Sequence, residues 1–107
     1  MCVQMIYSEL LEIGKSCNVT RDAAFQRELT ASVARMDQFV TTYSPEHPTQ
    51  AQINAERADF LKAVRAQGGI CQEDGVMSYE QFQQGGAAAI RSNTDDLLSH
   101  PNHESCL

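Results

Sequence analysis

The 107-residue chain has no tryptophan, only three prolines, and only eight basic side chains against fourteen acidic ones. Each scarcity removes a class of protein. With a net charge of −6 and no Lys/Arg cluster, the surface repels a phosphate backbone, so nucleic acid is not an expected partner. No apolar run approaches the roughly 20 residues that a membrane span needs. The paucity of proline, together with 42% hydrophobic residues, removes the disordered class. No segment alternates apolar and polar residues with a sustained period of two, and no internal repeat or low-complexity tract occurs. Residues 1 to 20 lack a basic n-region, and Glu9 and Glu12 interrupt the stretch that a signal peptide would keep apolar, so none is visible. What is left is one small, acidic, ordered domain with a single modest core, burying roughly 65% of the surface its unfolded chain exposes.

What is present is helical periodicity. Val3, Ile6, Leu10 and Ile13, with Tyr7 and Leu11 beside them, recur in steps of three and four, which predicts a helix over residues 3 to 15 closed by Gly14 and Asn18. Thr20 then offers an N-cap, and Phe25, Leu29, Val33, Met36, Val40 and Tyr43 form the longest stripe, ending at Ser44 before Pro45 and Pro48. Thr49 and Gln52 have the spacing of a capping box, and Ile53, Phe60, Leu61 and Val64 give the apolar face of a third helix that stops at Gly68-Gly69. A fourth begins near Asp74 and carries Val76, Tyr79, Phe82, Ala89, Ile90 and Leu97. Gly85-Gly86 in its middle either admits a close neighbour or breaks it in two, in which case Thr94 would cap the second piece. Residues 99 to 107 form an irregular tail. The expected fold is an all-α, four-helix antiparallel up-down bundle in one domain spanning 1–107.

Cys2, Cys17, Cys71 and Cys106 all fall at or beyond helix ends, where cross-links belong and where buried thiols do not. The first helix is about 20 Å long, so Cys2 and Cys17 lie at opposite ends of the bundle, beyond the roughly 7 Å Cα separation a disulfide allows. The up-down topology brings Cys17 beside Cys71, and Cys2 beside Cys106. Two such bridges imply an oxidising compartment, periplasmic or extracellular, with a cytoplasmic location for free thiols as the alternative.

Residues with catalytic or ligating chemistry form no convincing constellation. Asp74-Gly75-Val76-Met77-Ser78-Tyr79-Glu80-Gln81-Phe82 resembles the second half of an EF-hand loop, yet that register puts Ile70, Gln72 and Gln81 at the first, third and twelfth ligand positions, so the carboxylates required at the first and last are missing. His100, His103 and Cys106, beside Glu104, have zinc-type side chains, but a closed site needs four ligands and a disulfide at Cys106 removes its thiolate. No nucleophile elbow and no phosphate-cradling glycine loop is present. Neither an enzyme, nor a metal, nor a cofactor is expected.

Charge is distributed unevenly. Residues 1–65 hold seven basic and eight acidic side chains, whereas residues 66–107 hold Arg91 alone against Glu73, Asp74, Glu80, Asp95, Asp96 and Glu104. Five of these, Glu73, Asp74, Glu80, Asp95 and Asp96, are the expected partner-binding residues, presenting an acidic surface to a basic protein. The expected function is a non-enzymatic protein-binding domain of the cell envelope or extracellular space, an inhibitor or immunity-type protein that blocks a toxin or hydrolase. Two other classes fit the same sequence. One is a small-molecule carrier with an apolar cavity near Gly85 and Gly86, and the other is a cytosolic module that homodimerises through the stripe of the second helix.

Overall fold

Helices form where the apolar stripes run and stop where capping chemistry or proline ends them. The computed structural model describes residues 2–101 and 106–107. It contains α1 (Val3–Ser16), α2 (Ala23–Tyr43), α3 (Gln50–Ala66) and α4 (Glu73–Ser99), with no strand among the described residues. The α3 capping box is complete: the Thr49 hydroxyl accepts from the Gln52 amide at 3.1 Å, and the Gln52 side chain accepts from the Thr49 amide at 2.8 Å. At α2 the cap is Asp22, not Thr20; its carboxylate accepts from the Phe25 amide at 3.0 Å. An Asp one turn before the first buried residue outcompetes the threonine because its oxygen is both charged and correctly placed for the orphan amide.

Cross-helix pairs fix the directions. Gln4 of α1 meets Asp37 of α2, and Gly14 lies against Gln26, so these two helices are antiparallel. Asp37 pairs with Arg57 across the next turn, while Glu28–Arg91 and Arg35–Asp95 advance together, so α2 and α4 run parallel. The result is the up-down-up-down bundle, closed by disulfides Cys2–Cys106 and Cys17–Cys71. Two such bridges point to an oxidising, non-cytosolic compartment. No described helix is long and apolar enough to cross a membrane.

The bundle is uneven. Its core is a triangle of α1, α2 and α4, filled by Leu10, Ile13, Phe25, Leu29, Met36, Tyr79 and Ile90, with Phe25 and Tyr79 packed edge to face at 5.5 Å. Helix α3 leans on α1 and α2 and has no comparable contact with α4. Ile53 is its one fully buried apolar residue. A groove therefore opens between α3 and the start of α4.

Helix α4 is two helices joined at Gly86, whose φ of 87° and ψ of 172° are not helical. Thr94 does not cap the second piece. It is fully buried within it, and its hydroxyl donates to the Ile90 carbonyl at 2.8 Å. The break lies eight residues earlier, so Thr94 is past the point where free amides need a cap.

Candidate functional site

Three grooves and a smaller hollow on the bundle surface bring apolar and polar side chains together. The first, of about 510 Å³, runs along the C-terminal half of α2 against the end of α4, lined by Arg35, Phe39, Thr42, Tyr43 and Leu98. Phe39 and Tyr43, one turn apart, have ring centroids 4.8 Å from each other, and Tyr43 is 69% exposed. On the other side of the same two rings a smaller groove of about 190 Å³ meets Val40, Pro45, Cys106 and Leu107. The aromatic pair is thus a ridge between two hollows, braced by the C-terminal disulfide.

The second groove is the gap that α3 leaves. It measures about 430 Å³ and is lined by Phe60, Val64 and Gln67 of α3, Ile70 of the connection, Asp74 of α4 and Glu9 of α1. Burial raises the Glu9 carboxyl above the ordinary glutamate value. No ion-pair partner for it is present among the described residues. Its α1 neighbour Glu12, by contrast, is paired with Arg65 at 3.1 Å. The third groove, of about 300 Å³, lies between α1 and α4 and is lined by Ile6, Tyr7, Phe82, Asn93, Asp96 and Leu97. Burial raises the Tyr7 hydroxyl above the ordinary tyrosine value, opposed by the neighbouring polar side chains of Asn93 and Thr94.

The five acidic residues expected to form one surface are all exposed on α4, but the structure does not bring them together. Glu73 and Asp74 sit in its first turn, where they complement the helix dipole, and Asp95 and Asp96 sit in its second piece, beyond the break at Gly86. Asp74 lines the α3 groove. Asp95 reaches the aromatic groove through Arg35, which it contacts at 2.7 Å, and Asp96 lines the third groove while facing His100 at 3.5 Å. Glu80 lines none of these three grooves. The α2 stripe named for homodimerisation is largely spent in the core: Phe25, Leu29, Val33 and Met36 are buried, and only its end at Tyr43 faces outward. Gly85 and Gly86 line none of the grooves.

The disulfide residues are the expected ones. Cys106 is bonded to Cys2 and His100 faces Asp96, while His103 and Glu104 lie outside the described residues. Among the described residues, no group of three or more His, Cys, Asp or Glu side chains is placed to hold a metal.

One constellation escapes the sequence reading. Asp37, its side chain 5% exposed, receives both oxygens' worth of contact from the Arg57 Nη2 at 2.6 and 2.8 Å, and Gln50 Nε2 donates to it at 2.9 Å. Arg57 Nε also donates to the Ser8 hydroxyl at 2.8 Å, and that hydroxyl donates to the Gln4 carbonyl at 2.7 Å. This network ties α3 to α1 and α2. Its signal in the sequence is Asp37 itself, four residues after Val33 and next to Met36, a charge inside a buried stripe.

No family model, curated protein or solved structure matches this chain, so the functional reading stands on the geometry.

Proposed function

We propose that this is a non-enzymatic protein-binding domain of the periplasm or extracellular space, which acts by occupying a surface of another protein in the manner of an inhibitor or immunity protein. The observation that carries the reading is the ridge of half-buried Phe39 and exposed Tyr43, flanked by Arg35 and Leu98. Aromatic and arginine side chains set between hollows are the composition of interface hot spots, and an exposed apolar patch with a polar rim is what a binding surface needs. Disulfide cross-links keep that surface preorganised, which lowers the ordering cost of association.

The test is capture of an envelope or culture-fluid protein from the source organism by immobilised, oxidised protein, followed by titration calorimetry with the purified partner. Tyr43→Ser is expected to weaken the complex tenfold or more while the thermal transition of the free domain stays within a few degrees, since the ring is exposed. Asp95→Lys is expected to lower affinity and flatten its salt dependence, whereas Glu80→Lys leaves both unchanged. A partner held equally by wild type and Tyr43→Ser would overturn the assignment of this surface. Concentration-dependent dimers that vanish in Tyr43→Ser would make the occupant a second copy of the chain.

A further inference from the structure

We infer that the groove between α3 and the start of α4 receives a basic side chain, lysine or arginine, of the protein partner. The inference rests on the protein-binding reading for its occupant and on a different part of the molecule for its evidence. The groove is long, mainly apolar and open on one side, with walls from Phe60 and Val64 on α3 and Ile70 on the connection. Its two ionisable lining groups, Glu9 on α1 and Asp74 on α4, are both acidic and come from separate helices. An aliphatic stem lies well against such walls while its charged head is held by carboxylates, the usual way that lysine and arginine combine apolar contact with ion pairing.

Glu9 is the informative residue. It has lost part of its hydration, and the only influence on its carboxyl is the burial that disfavours charge. Two arginines of α3 are committed elsewhere: Arg65 to Glu12, and Arg57 to Asp37 and Ser8. A partly buried carboxylate in a mainly apolar groove, with no ion-pair partner among the described residues, is complementary to an arriving cation. The acidic excess of the chain extends the same preference outward through Glu73 at the groove's edge and steers a basic surface toward it.

The experiment needs no partner. N-acetylarginine methylamide and N-acetyllysine methylamide stand in for the side chain, and N-acetylnorleucine methylamide matches the stem without the charge. Each is titrated into the oxidised full chain, with the amide signals of Gly69, Ile70 and Gly75 followed by NMR. The two cations are expected to shift these amides with millimolar, saturable affinity, and norleucine to bind at least tenfold more weakly. Glu9→Gln, which keeps the shape, is expected to abolish that difference, and Asp74→Asn to reduce it; Tyr43→Ser is expected to leave it intact. Equal shifts from norleucine, cation shifts that survive Glu9→Gln, or no shift at all would each overturn the inference. None of those results touches the Phe39–Tyr43 surface, whose failure is read instead from partner capture.

Discussion

Arg57 and Arg35 both pair with aspartates, yet they stand in different dielectrics. The Arg35–Asp95 pair is 41% and 58% exposed, whereas Asp37 beneath Arg57 is 5% exposed. Removing Arg57 leaves a buried carboxylate supported only by Gln50 and a long contact from Gln4, so Arg57→Ala is expected to cost about 3 kcal/mol in urea unfolding. Arg35→Ala is expected to cost less than about 1 kcal/mol. Equal losses would show that the network does not hold α3. Glu9 behaves in the opposite sense. Its folded carboxyl titrates above its ordinary value of 4.5, so the native state holds the proton more tightly than the unfolded chain does. Stability associated with it is therefore present below that ordinary value and is lost as pH rises through the folded one. Glu9→Gln is expected to melt higher than wild type at pH 7 and to match it near pH 3; a lower melting point at pH 7 would contradict the unpaired state of this carboxylate. In sequence Glu9 and Asp37 are single charges near apolar stripes. Periodicity places the stripes but not the charges, because the partners of Asp37 come from 13, 20 and 33 residues away.

Helix α4 gives a paired test at the scale of an element. Gly86 occupies a region with positive φ and extended ψ that only glycine enters readily, and a Cβ there would meet nothing within 4 Å. Any penalty for Gly86→Ala is thus backbone strain, expected at about 1 to 3 kcal/mol. Gly85 keeps helical geometry, and its Cβ would touch the Ala89 methyl at an ordinary 3.6 Å. Gly85→Ala is expected to stabilise the fold by up to about 1 kcal/mol, by restricting the unfolded chain. Thermal unfolding of the two variants distinguishes these signs, and a stabilising Gly86→Ala would mean that α4 runs straight. The glycine pair was visible in the sequence as two alternatives, and only packing chose between them: Tyr79 and Ile90, on either side of the break, must both enter the core. Helix α3 illustrates the limit more sharply. Ile53, Phe60, Leu61 and Val64 form a legitimate apolar stripe, but only Ile53 is buried to the core standard, because the triangle of α1, α2 and α4 is already filled. Phe60 and Val64 become groove walls, and Tyr43, at the end of the α2 stripe, becomes part of a ridge. A stripe shows that a face is apolar, and tertiary packing decides what that face meets.

Across the whole molecule the two disulfides brace opposite ends, each beside one groove. The cysteine pairing was deducible from helix lengths and chain direction because an up-down bundle leaves each helix end few neighbours. The α3 groove was not, since it arises from the unequal packing of α3. Cys106 lines the hollow next to Phe39 and Tyr43, while Cys71 lies between Ile70 and Gln72, both of which line the α3 groove. The sequence separations are 104 and 54, and the chain-entropy model gives about 4 to 5 kcal/mol for closing either loop alone. Because the shorter loop is nested in the longer, loss of both bridges approaches the 5 to 15 kcal/mol that such domains possess in total, and the fully reduced chain is expected to be largely unfolded at 37 °C. The single removals separate local bracing from global stability. C17S/C71S is expected to weaken acetylarginine methylamide binding, by freeing Ile70 and Gln72, while sparing partner capture through Tyr43. C2S/C106S is expected to do the reverse, since it releases the residues packed beside the aromatic ridge. Measured at a temperature where circular dichroism shows both variants fully helical, equal damage to both readouts in both variants would mean that the bridges act only on the unfolded chain. A crossed pattern would mean that each also holds its own recognition surface in shape.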